Sequence, residues 1–222
     1  VADRYSILLS NISGKIKAKT IGWQHSCYQS YFATKGMHFY NEEKLVKYMF
    51  RNLDNYIVLS NLDREKIENK FNFQCKTIYN PKSFELTNTS NLQNKVFLAV
   101  GRLEVVKGFD MLIEAYKIYK NIGGTWKLEI IGEGSQREKL QKKIKEYNLE
   151  DDISLEGYTS NVESYFLNSS AYLLTSRWEG FGLVVIESFE AGLPVITFDI
   201  DIMKELIHNG ENGILVPCFD IN

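Results

Sequence analysis

Few residues in this chain could form covalent or metal cross-links: cysteine and histidine each occur three times in 222 residues. Cys27, Cys75 and Cys218 are far apart with no Cys-x-x-Cys pair, and His25, His38 and His208 lack the spacing of a zinc-ligand set. A disulfide framework and a structural zinc site are set aside, and the expected state is three thiols in a reducing cytoplasm. No apolar run approaches the roughly eighteen residues that a membrane-spanning helix needs. Charge is balanced as well: 26 basic against 28 acidic residues leave a formal net charge of −2. A broad nucleic-acid-binding surface is therefore not expected, although a local basic pocket stays open. The apolar share of 44% and charged share of 24% are those of a soluble globular chain rather than a disordered one. Repeats and low-complexity segments do not stand out. Three Asn-x-Ser triplets (at Asn11, Asn88 and Asn168) lack a secretion signal beside them and read as coincidence.

What is present is a regular alternation in the second half. KVFLAVGRL (95–103), WKLEIIGEG (126–134), ISLEG (153–157), AYLLTS (171–176), PVITFD (194–199) and GILVP (213–217) read as about six strands. Between them lie GFDMLIEAYKIY (108–119), with Met111, Leu112, Ala115 and Tyr119 at helical spacing, and SQREKLQKKIKEY (135–147), with Leu140 and Ile144 inward. A short helix near 162–167 and GLVVIESFEAG (182–192) continue the pattern. Strands and helices alternating at this pitch make a parallel, doubly wound sheet with ligands at the carboxyl ends of its strands.

The first half is less regular. SILLS (6–10), KTIGWQH (19–25) and NYIVLS (55–60) read as strands, with helices over about 42–51 and over 60–71, the latter capped by Ser60. The polar stretch 77–94 has no periodicity and holds an Asn-Pro pair, which marks a linker. The expected domains are 1–82 and 83–222. The chain opens without an initiator Met and ends just after an apolar run, and the first part is short for a complete sheet. The expectation is a piece of a longer protein.

Two stretches carry chemistry. In SRWEGFGLVVIE (176–187), Glu179 and Glu187 bracket Gly180-Phe181-Gly182 at a strand-to-helix junction. Glycines there allow close backbone approach, and unpaired amides opening a helix attract phosphate. Eight helical steps would rise about 12 Å, a reach suited to a nucleotide diphosphate-sugar with a carboxylate on hydroxyls at each end. A capped helix carrying two surface glutamates is the plain alternative. In GRLEVVKG (101–108), Arg102 and Lys107 follow a strand and precede a helix. Converging there, they would neutralise a diphosphate leaving group; as isolated charges they would be ordinary surface.

VGRLEVVKGFDMLIEAY, IIGEGSQREKL, TSRWEGFGLVVIESFEAGLPVITFD and ELIHNGENGILVP together resemble the donor half of a GT-B glycosyltransferase of glycosyltransferase family 4, similar to bacterial O-antigen and capsule sugar transferases. The likeness runs in order from about Val96 to Pro217; IGWQHS and IYNP fit the second half of the acceptor domain more loosely. The resemblance implies an α/β, GT-B fold: a Rossmann-like donor domain preceded by a partial Rossmann-like acceptor domain. It implies that Arg102 and Lys107 grip the donor diphosphate, that Glu179 contacts the transferred sugar and that Glu187 holds the ribose. Gly180 lies in the phosphate-binding turn, whose amides belong to Phe181, Gly182 and Leu183. Gly132 and Gly134 line the nucleotide cleft, and His25 faces the donor sugar; for His25 a hydrogen-bonded core histidine is the equal alternative.

The chemistry so implied is retaining and uses no metal or other cofactor. The acceptor hydroxyl attacks from the leaving-group face, and the donor phosphate takes its proton. Asp199-Ile200-Asp201 spells the Asp-x-Asp of metal-dependent transferases, but it follows a strand where family members commonly carry an Asp without metal. The expected partners are a UDP-sugar donor and a lipid-linked saccharide acceptor, with no nucleic acid. The aromatic and basic stretch 26–51 suits either packing against the half-sheet or contact with the inner face of the cytoplasmic membrane, and rings left exposed would favour a homodimer. A non-catalytic nucleotide-sugar-binding module and a UDP-sugar 2-epimerase remain as alternatives. The family's opening strand, its Gly-rich loop and its final helices are missing, and the loop before Lys204-Glu205 is shortened. Transfer by these 222 residues alone is therefore expected to be feeble.

Overall fold

A computed structural model describes residues 5–35 and 39–221. His38 of the histidine set lies outside the described residues. The chain forms two compact units, one running to Pro81 and including Trp178–Phe181, the other comprising Lys82–Arg177 and Gly182 onward.

The first unit holds a three-stranded parallel sheet in the order β1 (Ile21–Trp23), β2 (Asn55–Val58), β3 (Lys76–Thr77). Around it lie α1 (Tyr5–Ile12), α2 (Glu43–Asn52) and α3 (Asn61–Phe71). The expected strand at 6–10 is a helix, α1. A five-residue apolar run does not distinguish strand from buried helix, and here its serines decide. Ser6 and Ser10 are the buried positions, and Ser10 Oγ bonds back to the Ile7 carbonyl at 2.6 Å, as helical serines do. Tyr5 and Leu8 face outward. α2 buries Val46, Met49 and Phe50, one helical stripe. α3 starts where expected: Ser60 Oγ accepts the Asp63 amide at 3.0 Å, an N-cap bond that satisfies an otherwise orphaned donor. The aromatic stretch packs mostly inward, with Tyr48 left exposed. Tyr31, Phe39, Phe50 and Tyr56 are buried, and the Phe50 and Phe73 rings stack at 4.7 Å.

The second unit is a six-stranded parallel sheet in the order β6-β5-β4-β7-β8-β9. Its strands are β4 (Val96–Val100), β5 (Lys127–Ile131), β6 (Ile153–Gly157), β7 (Ala171–Leu174), β8 (Val195–Phe198) and β9 (Gly213–Val216). The connecting helices are α4 (Phe109–Asn121), α5 (Arg137–Glu146), α6 (Val162–Asn168), α7 (Leu183–Glu190) and the four-residue α8 (Met203–Leu206). The fully buried positions of α4 are Phe109, Leu112, Ile113 and Tyr116; of the residues read at helical spacing Leu112 is among them, and Met111, Ala115 and Tyr119 are half-buried. Tyr116 donates its hydroxyl to the Trp126 carbonyl at 2.5 Å. Leu140 and Ile144 of α5 are buried as read. The polar stretch after Pro81 lacks regular structure but is tied to α7, since Glu190 accepts from Lys82 Nζ (3.1 Å) and from the Leu86 amide (3.2 Å).

The strand order reverses direction between β4 and β7. From β4 the chain winds through β5 to β6; from β7 it winds the other way to β9. A crevice opens outside the carboxyl ends at such a switch point, and ligands bind there in open α/β sheets. The loops leaving β4 and β7 are the ones at that position.

Candidate functional site

The loop leaving β4 carries Gly101, exposed Arg102 and half-buried Lys107, and ends at Gly108. Its first half is laid backbone-on-backbone against the loop leaving β5. The Gly101 amide donates to Ile131 O (2.9 Å), the Leu103 amide to Glu133 O (2.8 Å) and the Gln136 amide to Leu103 O (2.8 Å). This closeness requires the glycines. A Cβ at Gly132, whose φ is +142°, would stand 1.9 Å from the Gly101 oxygen, and one at Gly134 would stand 2.5 Å from the Leu103 oxygen. Gly132 and Gly134 therefore shape the Arg102 loop. Glu104 accepts the Ser135 amide (3.1 Å) and hydroxyl (2.8 Å). Those bonds, with a smaller contribution from Arg102, hold its carboxyl below the ordinary range.

The second half of the loop is a 3₁₀ turn, Val105–Lys107, whose Lys107 side-chain carbons lie over Gly101. It is fastened to the loop leaving β7. The Arg177 amide donates to Val106 O (2.8 Å), and Thr175 Oγ1 to Lys107 O (3.3 Å) and Gly108 O (3.1 Å). The Arg177 guanidinium also donates to Val105 O and forks onto Asp110 at 3.0 and 2.9 Å. Burial pushes the Asp110 carboxyl up, but the Arg177 guanidinium outweighs this and holds it below the ordinary range. Sequence reading missed Arg177, Asp110 and Thr175, although Arg177 stands inside one of the two motifs it singled out and Asp110 two residues past the other.

α7 opens at Gly182, in left-handed conformation (φ +79°), with no side-chain cap. A methyl at Gly182 would meet Met203 Cε at 2.7 Å. The opening amides of this helix, Leu183's among them, are thus not covered by a capping side chain, the feature that favours an anion there. Glu187 follows one turn on, half-buried. Arg102 and Lys107 therefore leave one central strand, and Gly182, Leu183 and Glu187 lie on the helix following its hydrogen-bonded neighbour.

Glu179, Gly180 and Phe181 group with the first unit. Within that unit a Cβ at Gly180 would stand 2.6 Å from the His25 carbonyl oxygen, and the buried Phe181 ring lies 5.6 Å from that of Tyr79. His25, just past β1, is exposed and stacks on Trp23 at 5.0 Å. It is not the buried core histidine of the plain alternative.

Asp199, past β8, accepts from the Cys218 thiol, which holds its carboxyl low, and Lys204 Nζ lies 3.9 Å away. Among the described residues no group of three or more His, Cys, Asp or Glu side chains gathers as a metal-ion site, and no helix is long and apolar enough to cross a membrane.

A doubly wound parallel sheet with glycine-fixed loops, basic side chains and an uncapped helix start at its switch point defines an α/β ligand-binding domain of nucleotide-binding type. The family description "Glycosyl transferases group 1" matches residues 84–222, and the chain belongs to that family. It is 29% identical over 204 residues to the amylovoran biosynthesis glycosyltransferase AmsD of Erwinia amylovora, covering 87% of this chain and 55% of that one. It is 33% identical over 157 residues to a Campylobacter jejuni N-acetylgalactosamine-N,N'-diacetylbacillosaminyl-diphospho-undecaprenol 4-alpha-N-acetylgalactosaminyltransferase, covering 67% and 42%. Among solved structures, a TarM mutant of S. aureus in complex with fondaparinux, alpha-GlcNAc-glycerol and UDP superposes with a TM-score of 0.81 at 28% identity, covering 92% of this chain and 42% of that one. The fold is that of the GT-B glycosyltransferases. The chain spans about half the length of the curated relatives it matches.

Proposed function

We propose that this chain holds the donor-binding part of a retaining, metal-independent family 4 glycosyltransferase. It moves a hexose or N-acetylhexosamine from a UDP-sugar to a lipid-linked saccharide acceptor in O-antigen or capsule synthesis. The carrying observation is the pairing of two loops at the switch point: one brings Arg102 and Lys107, the other an uncapped helix start. Undecaprenol in the name of the Campylobacter relative supports the lipid-linked acceptor, and UDP in the TarM complex supports the nucleotide.

In this reading Arg102, Lys107 and the amides at Phe181, Gly182 and Leu183 take up the charge that develops on the departing diphosphate. Fixed donors stabilise that charge without reorganising during the reaction. Glu187 accepts from the ribose hydroxyls, and Glu179 contacts the transferred sugar, as ionised carboxylates do strongly. Gly132 and Gly134 line the nucleotide cleft, and His25 faces the sugar. The acceptor hydroxyl forms the new bond to the anomeric carbon on the face from which UDP leaves, and its proton passes to the departing phosphate. The protein works beside the inner face of the cytoplasmic membrane, where its acceptor lies, and exposed rings of the first unit support self-association.

Titration with UDP-Gal, UDP-GalNAc, UDP-Glc, UDP-GlcNAc and GDP-mannose identifies the donor. Glu187→Ala weakens nucleotide binding, whereas Glu179→Ala leaves binding nearly intact and slows transfer by the full-length parent. Negligible effects from both substitutions would discard the assignment.

A further inference from the structure

The Arg102–Lys107 loop has two anchors of different kinds. Toward β5 it is held by main-chain bonds and glycines. Toward β7 it is held by the Arg177 amide, by Thr175 Oγ1 and by the Arg177 side chain, which reaches three acceptors: Val105 O and both carboxylate oxygens of Asp110. Asp110 sits in the first turn of α4, three residues after Lys107. Its negative charge suits a helix start, but without a countercharge it would oppose a diphosphate bound at the neighbouring loop. The guanidinium fork cancels that charge and fixes the 3₁₀ turn bearing Lys107.

We propose that Arg177 and Asp110 are positioning residues for diphosphate recognition: the pair holds Val105–Lys107 against the end of β7 and silences the carboxylate that would repel the ligand. This rests on the donor-binding reading of the loop. The planar fork is essential, because a lysine at 177 supplies the charge but cannot bridge a carbonyl and both carboxylate oxygens at once. The pair acts on the diphosphate and not on the nucleoside, since the guanidinium's own bonds go to Val105 O and to Asp110, within and just beyond the phosphate-gripping loop. Discrimination between UDP and uridine therefore reports its role, whereas a general loss of structure would weaken both.

The experiment is calorimetric titration of the unmodified chain, Arg177→Lys and Arg177→Gln with UDP and with uridine, each protein first checked for cooperative thermal unfolding. UDP affinity is expected to fall about tenfold in Arg177→Lys and further in Arg177→Gln, which also leaves Asp110 with Lys143 as its remaining countercharge; uridine affinity stays within about twofold of the parent. UDP binding unchanged in either folded variant, or UDP and uridine weakened in parallel, would overturn the proposal. An unmodified chain that does not prefer UDP to uridine would remove the donor-binding reading itself, a failure distinguishable from that of the pair.

Discussion

Replacing Gly132 with alanine tests whether backbone proximity shapes the Arg102 loop. Two costs add at this position. The backbone has φ +142°, and holding a residue with a Cβ in so sparsely populated a region costs about 1–3 kcal/mol. The methyl would also stand 1.9 Å from the Gly101 carbonyl oxygen. That neighbour is backbone and cannot swing away, so relieving the overlap costs a further ~1–3 kcal/mol. A combined loss of about 4 kcal/mol lowers the unfolding midpoint of a domain this size by roughly 10 °C.

Two other glycines separate the terms. Gly123 has φ +91° and nothing within 4 Å of an added Cβ, so Gly123→Ala carries only the backbone cost, ~1–2 kcal/mol. Gly14 has open space and no such φ, and Gly14→Ala stays within about 0.5 kcal/mol. Urea unfolding of the three variants and the parent gives the ranking. If Gly132→Ala proved no more costly than Gly123→Ala, the contact between the β4 and β5 loops would not be what holds Arg102 in place.

Acid should unfold the protein through identifiable carboxylates. Asp54 is held low by the Thr20 amide and Asp152 by Lys127, and Asp110 is low because Arg177 outweighs its burial. The folded state thus binds fewer protons than the unfolded one just below the usual carboxylate range. The stability these groups contribute is complete above about pH 4 and disappears as pH falls through their folded values. Glu129, raised by burial and by Glu156, works with the opposite sign, and a urea midpoint that rises from pH 5 to 3 would refute the dominance of the first three. For Cys218, burial and then Asp199 push the thiol from 9.0 to about 11, so thiolate at neutral pH drops roughly a hundredfold. Alkylation of this exposed thiol should be correspondingly slow and faster in Asp199→Asn; reaction at the rate of an unperturbed cysteine would contradict the geometry.

The second unit was largely legible because its six strands are separated by helices whose apolar spacing repeats, and a parallel sheet buried on both faces leaves continuous runs such as VFLAV and YLLT. The first unit offered less. In α1 the two serines are the fully buried positions while Tyr5, Leu8 and Ile12 face outward and Ile7 and Leu9 are only half-buried, which blurs the signal that a reader follows. β3 spans two residues, too few to show an alternation. On α4 the fully buried positions Phe109, Leu112, Ile113 and Tyr116 stand at i, i+3, i+4 and i+7, a face the spacing does offer beside the one that was read from Met111, Leu112, Ala115 and Tyr119. The motif positions of Arg102, Lys107, Gly182 and Glu187 could be read directly, since each lies at a strand end or helix start. The fork between Arg177 and Asp110 could not, because it joins residues 67 positions apart.

That difference bears on how substitutions in this region are to be interpreted. The bonds that set the course of the Arg102 loop come from main-chain atoms, from Thr175, from the Glu104 and Ser135 side chains and from Arg177; Arg102 contributes its carbonyl to the Glu104 amide, which any residue would supply. The shape of the loop is therefore separable from the charges it displays. Truncating Arg102 alters the electrostatics at the crevice on an unchanged frame, whereas altering Gly132, Gly134 or Arg177 alters the frame and leaves the Arg102 charge in the sequence. A binding loss confined to the first kind of variant would belong to direct contact with the ligand. A loss shared by both kinds would require the loop to be held rigid as well, and only the second kind should also register in unfolding.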